Sequence, residues 1–280
     1  MNLNARVIIN SDEKTYEDFC NKMKREQNDS REWLPREYDR WIYPVSLRDK
    51  IGTQGDMEPF FGDTVVFKVD CDTKKKLEKM QCLLHERLEK ILAKKLSSEH
   101  LHMTLHDLNN SKGKTNELSD NMKQNKEKCR ELFEQIIQYI EDFPEYSKIR
   151  MKPTMLYPSV NISVVMGLIP STEKDYNILM NLYNSFNDIV DLKRILRPHI
   201  TLSYFKPYDL SKEEKRELYN VLKSLDPSCA DLEIEFDLKD LAYQTFENMD
   251  FYEDIMQVKN KDLGIRVKEK ESSRGNFYPC

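Results

Sequence analysis

Imidazole is the side chain that gives and takes protons most readily near neutral pH, and this chain of 280 residues holds five of them. Three fall within seven positions, His100, His102 and His106 in "HLHMTLH", and a fourth, His199, stands in "RPHITLSYF". The two stretches repeat a phrase: His-Met-Thr-Leu at 102–105 and His-Ile-Thr-Leu at 199–202. Apolar and polar residues alternate through both, which marks a strand with one apolar and one polar face. His102 then shares a face with Thr104, and His199 with Thr201. Within each pair, imidazole and hydroxyl stand roughly 6–7 Å apart along the strand. If the two strands lie side by side, two histidines and two threonines converge on one cleft. One neutral ring can take a proton from an attacking oxygen while the other, protonated, gives one to a leaving oxygen. The hydroxyls can hold the non-bridging oxygens of a phosphate as charge builds there. This is the chemistry of breaking a phosphodiester beside a ribose hydroxyl, and it requires no metal.

Neighbours of the second phrase extend the candidate site. Arg197 and Ser203 alternate onto the face of His199. The arginine is suited to pairing with a phosphate or to lying on the surface, and the serine to substrate contact or to solvation. Tyr204 alternates onto the apolar face, and it is read as core or as a ring on which a base could stack. Lys193, Arg194 and Lys206 flank the phrase and are read as raising the local potential or, as charged flanks usually are, as simply solvated. A metal site built from His100, His102 and His106 is the competing reading of the first phrase. Alternate residues on a strand fan out, however, and Glu99 and Asp107 fall on the opposite face, so no ligand set is completed. His106 is then a supporting or solvent-facing residue, and His100 sits at the strand's edge.

The elements that position these residues recur. A β-branched run at "TVVFKVD" predicts a strand. Asp72 is placed as the cap of a helix that buries Leu77, Met80, Leu84, Leu88 and Ile91. The first histidine strand follows, then a helix with Leu132, Phe133, Ile136, Ile137 and Ile140 inward. "KIRMKPTMLY" is a strand whose Pro153 points to an edge. The order repeats with the strand "NISVVMGLI", a helix over 172–189, and the second histidine strand. Next comes a helix opened by Ser211 with Glu214 in capping-box position, then the strands "LEIEFDL" and "LAYQTF". Val66 to His102 spans 36 residues and Val164 to His199 spans 35. Matching phrases in matching slots predict a two-lobed, pseudo-symmetric α+β domain.

With 39% hydrophobic residues the chain can bury a substantial core, and its net charge is −5. A protein of long nucleic acid is usually basic, so a small or short anionic substrate is favoured over long DNA. The start lacks the apolar run of a signal peptide, no apolar stretch is long enough to span a membrane, and the six cysteines form no close pair. A cytoplasmic protein with reduced thiols is expected.

Paired His-x-Thr-Leu phrases on the central strands of two similar lobes resemble the two-histidine (2H) phosphoesterase superfamily. It includes 2′-5′ RNA ligase-like proteins and cyclic phosphodiesterases. The resemblance covers about residues 60–250, and His102, Thr104, His199 and Thr201 match its motif positions. It implies a bilobal fold, two antiparallel sheets with flanking helices around a central cleft. It also implies metal-independent action, without a cofactor, on a nucleotide or RNA end bearing a 2′,3′-cyclic phosphate or a 2′-5′ linkage. Ligation of RNA ends by the same residues, or nucleotide binding without turnover, are the alternatives. Residues 1–60 are expected to form an extension packed on the main domain, where Trp33 and Trp41 either pack or cover the site. Residues 61–250 hold lobes of about 61–157 and 158–250, and 251–280 is a tail.

Overall fold

A computed structural model of the chain describes residues 13–230 and 232–258. The first element is helix α1 (Glu13–Glu32). Its apolar side holds Cys20 and Met23 against Ile169. The helix continues because buried Arg31 finds a partner in Asp226, at 2.7 and 2.9 Å. Between α1 and residue 60 the chain is irregular yet anchored: Leu34, Trp41, Leu47 and Ile51 all enter the main core. Trp41 stacks on Trp33, meets Phe205 edge-on and is almost fully buried, so the tryptophans pack rather than cover the cleft described below.

The two repeated units follow. In the first, strand β1 (Phe61–Lys68) leads to helix α2 (Cys71–Leu88), strand β2 (His102–Ser111) and helix α3 (Asn116–Asp142). The cap of α2 is Asp70 rather than Asp72. Its carboxylate accepts from the amides of Asp72 and Thr73, so the helix begins as soon as the strand releases the chain. Strand β3 (Lys148–Ser159) comes next. The second unit has strand β4 (Ser163–Pro170), helix α4 (Glu173–Asn187), strand β5 (His199–Tyr204) and helix α5 (Lys212–Ser224). Ser211 and Glu214 close the expected capping box. The chain ends with the short helix α6 (Asp226–Ala230) and strands β6 (Ile234–Asp237), β7 (Leu241–Asn248) and β8 (Phe251–Gln257). Residues 251–257, assigned to the tail by sequence, therefore form a paired strand. The charged stretch from Lys259 lies outside the described residues.

All eight strands belong to one antiparallel sheet in the order β6-β3-β4-β5-β2-β1-β7-β8. The two sheets expected are its two four-stranded halves, and they meet at β2 and β5 through a single register pair, Met103 with Ile200. The lobes also exchange strands relative to the ranges 61–157 and 158–250. Strand β3 pairs with β4, whereas β7 and β8 return to pair beyond β1. Antiparallel partners need no adjacency in sequence, and each half completes its sheet with a strand from beyond its own unit. Pro153 sits past the end of β6, which pairs only with Lys148–Met151, so β3 is locally an edge there.

One face of the sheet carries the core: Met103 and Leu105 from β2, Val164, Met166 and Leu168 from β4, and Ile200 and Leu202 from β5. On the other face α1 crosses β3 and β4. It approaches so closely that a Cβ on Gly167 would stand 2.7 Å from both Gln27 and Thr154. Glycine is needed there for the approach, and Gly167 pairs with His199. No helix among the described residues is long and apolar enough to cross a membrane.

The turn joining β3 and β4 carries strain. Val160 and Asn161 have φ of 43° and 58°, and Ile162 N–H donates to the Ser159 carbonyl at 2.9 Å, the geometry of a type I′ turn. A β-branched residue in the left-handed region is unfavourable, and Val160 is 72% exposed, so little burial offsets it. Val160→Asn is expected to raise stability by about 1 kcal/mol in denaturant unfolding; an unchanged or lowered midpoint would show that the turn is not strained.

Candidate active site

Pairing of Met103 with Ile200 sets the site. In an antiparallel ladder this register brings His102 opposite Thr201 and Thr104 opposite His199. Each imidazole thus faces the hydroxyl of the other phrase, and the two histidine Cβ atoms lie on a diagonal of roughly 7–8 Å. All four side chains line one cleft of about 730 Å³ on the face away from the core. The rings are held alike. His102 Nδ1 lies 2.6 Å from the carbonyl oxygen of His100, and His199 Nδ1 lies 2.7 Å from that of Arg197. A carbonyl only accepts, so both Nδ1 atoms carry the proton, and each Nε2 is left with its lone pair.

Both strands bulge immediately after the threonine. Against β1, Thr104 pairs with Val66 but His106 pairs with Val65, so Leu105 is an extra residue. Against β4, Thr201 pairs with Val165 but Ser203 pairs with Val164, so Leu202 is extra in the same way. A one-residue bulge reverses the facing of everything beyond it. The alternation expected from sequence therefore fails past each threonine. His106 turns to the core side, where its ring packs near Tyr183 and Phe186 and its Nε2 lies 3.4 Å from Asn187 Oδ1. Asp107, expected on the opposite face, lines the cleft. Ser203 is turned away from the cleft, buried, with its hydroxyl 3.2 Å from His85 Nε2. Tyr204 takes its place and lines the cleft. Leu202's carbonyl, freed by the bulge, accepts from Nε2 of the fully buried Gln81 on α2 at 2.9 Å.

His100 also reaches the cleft, resting against Phe251 and Tyr252. Because His106 faces away, the three histidines of the first phrase do not converge. Among the described residues no group of three or more His, Cys, Asp or Glu is arranged to hold a metal ion.

Both imidazoles line the cleft and are crowded by its walls. Burial is the main influence on His102 and lowers its pKa to about 4; the His100 carbonyl opposes this, and nearby His199 adds to it. Burial likewise lowers His199 below its ordinary value, against the pull of the Arg197 carbonyl and Asp107. Tyr252 meets His102 edge-on at 4.8 Å, and burial raises its own hydroxyl far above the usual phenol range. Arg197 lines the cleft but is engaged: its Nε donates to Glu26 of α1 at 2.8 Å. Arg194 is paired with Asp107. The wall contributed by α1 (Met23, Glu26 and Gln27) and the Asp107 contact had no signal in the sequence, because both depend on long-range packing and on the bulge.

No protein-family model matches the sequence, and no curated protein does. Among solved structures, the chain is similar to a conserved protein of unknown function from Agrobacterium tumefaciens. The TM-score is 0.62 at 16% identity, covering 84% of this chain and 99% of that one, and the two share a fold. More distant similarities reach TT0787 of Thermus thermophilus (TM-score 0.39, 11% identity, 71% of this chain and 99% of that one). E. coli LigT in its apo form stands equally far (0.39, 10%, 72% and 99%).

Gln81→Leu removes the donor that satisfies the bulged carbonyl of Leu202. It is expected to destabilise the protein by about 1–2 kcal/mol, measured by denaturant unfolding. Wild-type stability in this variant would mean that the bulge does not depend on Gln81.

Proposed function

We propose that this chain is a metal-independent phosphodiesterase of the two-histidine type. On this reading it acts on a nucleotide or RNA end that bears a 2′,3′-cyclic phosphate or a 2′-5′ linkage. The observation that carries the reading is the matched pair of imidazoles, each fixed by an Nδ1–carbonyl hydrogen bond and each set across from the threonine of the other phrase.

In this mechanism the Nε2 lone pair of one histidine takes a proton from water. The water oxygen bonds to phosphorus as the bond from phosphorus to the leaving ribose oxygen breaks. The second histidine, protonated on Nε2, gives its proton to that oxygen. Proton count and charge balance, with one ring ending protonated and the other neutral. Thr104 and Thr201 donate to the non-bridging oxygens. Tyr204 and Tyr252 supply ring surface for the nucleoside beside the phosphate.

The depressed imidazole pKa values fit this scheme only with substrate present. In the empty cleft both rings favour the neutral form. A phosphate anion between them favours protonation of one, so the substrate itself helps to charge the acid.

Two outcomes test the reading. In a screen of 2′,3′-cyclic and 2′-5′ nucleotides, His102→Ala and His199→Ala are each expected to lower kcat about 10²- to 10⁴-fold with unchanged circular dichroism; full turnover in both folded variants refutes the proposal. The pH profile supplies the second. The acid must be protonated, and its free-state pKa is lowered, so kcat/KM should begin to fall with rising pH from below 6.5. The corresponding limb of kcat should lie at higher pH, because bound phosphate raises the same group. Coincident limbs would remove the phosphate from this role.

A further inference from the structure

Among the described residues, the charges that line the cleft leave one cation, Lys50, without a carboxylate partner. Arg194 is taken by Asp107 and Arg197 by Glu26, while Asp29 and Asp250 add further negative charge. Lys50 also lines the cleft, and it has no carboxylate within ion-pair distance among the described residues. Its ammonium lies 4.9 Å from the centre of the Phe60 ring. The side chain is half-buried, and burial lowers its affinity for a proton, with Asp107 opposing and Arg194 adding to the effect. Asp107 and Asp49 act on it only from beyond ion-pair distance, and an ammonium withdrawn from water with no carboxylate in contact is unfavourable, so its position calls for an anion.

The backbone beneath Lys50 is fixed. Its N–H donates to the Leu47 carbonyl at 3.1 Å, and its own carbonyl accepts from Glu58 at 2.9 Å. Leu47 and Ile51 on either side are fully buried. Ile51 bridges to Met57, closing a short loop whose Gly55, at φ 89°, packs against Ala93 and accepts from the Lys94 amide. The residues before β1 therefore deliver this one cation to the cleft from a rigid base.

We propose that Lys50 is a phosphate-binding residue, its ammonium contacting the non-bridging oxygens of the phosphate that lies between His102 and His199. This rests on the phosphodiester reading above. A compact ammonium offers three donors in any direction, which suits a phosphate whose oxygens move as the phosphorus inverts. It also explains how a cleft with four carboxylates attracts an anion: the paired arginines are already neutralised, and Lys50 is not.

The test uses the full chain as wild type, Lys50→Met and Lys50→Arg. Affinity for inorganic phosphate is measured by calorimetry, and KM and kcat are measured with 2′,3′-cyclic AMP. Lys50→Met is expected to weaken phosphate binding and raise KM about ten- to a hundredfold, with kcat within a few-fold of wild type, and Lys50→Arg to restore most of the loss. Lys50→Met should melt no lower than wild type, since it removes an unpartnered charge. Wild-type phosphate affinity and KM in Lys50→Met overturn the role of Lys50 and leave the two-histidine reading standing. If the wild type hydrolyses none of the cyclic or 2′-5′ nucleotides, that reading falls on its own. The phosphate titration then decides the anion site: weakened binding in Lys50→Met supports it, and equal binding overturns it.

Discussion

One ladder contact, Met103 against Ile200, joins the two halves of this sheet, and the rest of the cleft depends on it. The contact sits between the histidine and threonine of each phrase, so it fixes all four polar side chains relative to one another. Pairing stops on both sides for local reasons. Leu105 would fall opposite Pro198, which has no N–H to give, and Leu101 would fall opposite the bulged Leu202. Beyond that pair β2 and β5 do not pair, and the cleft lies above this seam.

The bulges do more than end the pairing. Each turns the residue after the leucine toward the core and the next one into the cleft. In the first half this exchanges His106 for Asp107, and in the second Ser203 for Tyr204. The same device thus gives the two halves different chemistry, a carboxylate whose charge reaches both histidines from one half and an aromatic ring lining the cleft from the other. Such a distortion needs support, and it has it: Gln81 accepts none of the ordinary roles of a surface glutamine and instead satisfies the freed carbonyl of Leu202 from within the core. On the other side, the Thr64 hydroxyl donates to the His106 carbonyl at 3.1 Å.

Segments outside the repeat complete the cleft walls. Helix α1 stands over β3 and β4, where Gly167 permits its approach, and puts Glu26 on Arg197. The loop around Gly55 brings Lys50 from the other direction, and β8 sets Tyr252 on His102. The duplicated units supply the four residues of the two phrases. Chain before and after them adds Glu26, Lys50 and Tyr252 to the shape and charge around those residues.

The sequence determined a good deal by local physics. Alternation at "HMTL" and "HITL" marks two strands with His and Thr on one face, because side chains on a strand alternate regardless of what surrounds it. Helical spacing in 77–91, 132–140 and 179–186 identifies the buried stripes, and Ser211 with Glu214 marks a helix start, because these are interactions within one or two turns. Beyond the local range the sequence carried no signal. Leu105 and Leu202 look like ordinary members of an alternating strand, and only the register of β1 and β4 makes them extra residues. Hence the facing of His106, Asp107, Ser203 and Tyr204 could not be read from their neighbours. The exchange of β3 and β7 between halves, the one-pair seam, and the place of Lys50 in the cleft with no carboxylate against it among the described residues were decided by tertiary structure. Each depends on which distant backbone or charge lies within a few ångströms, and short-range pattern holds no record of that.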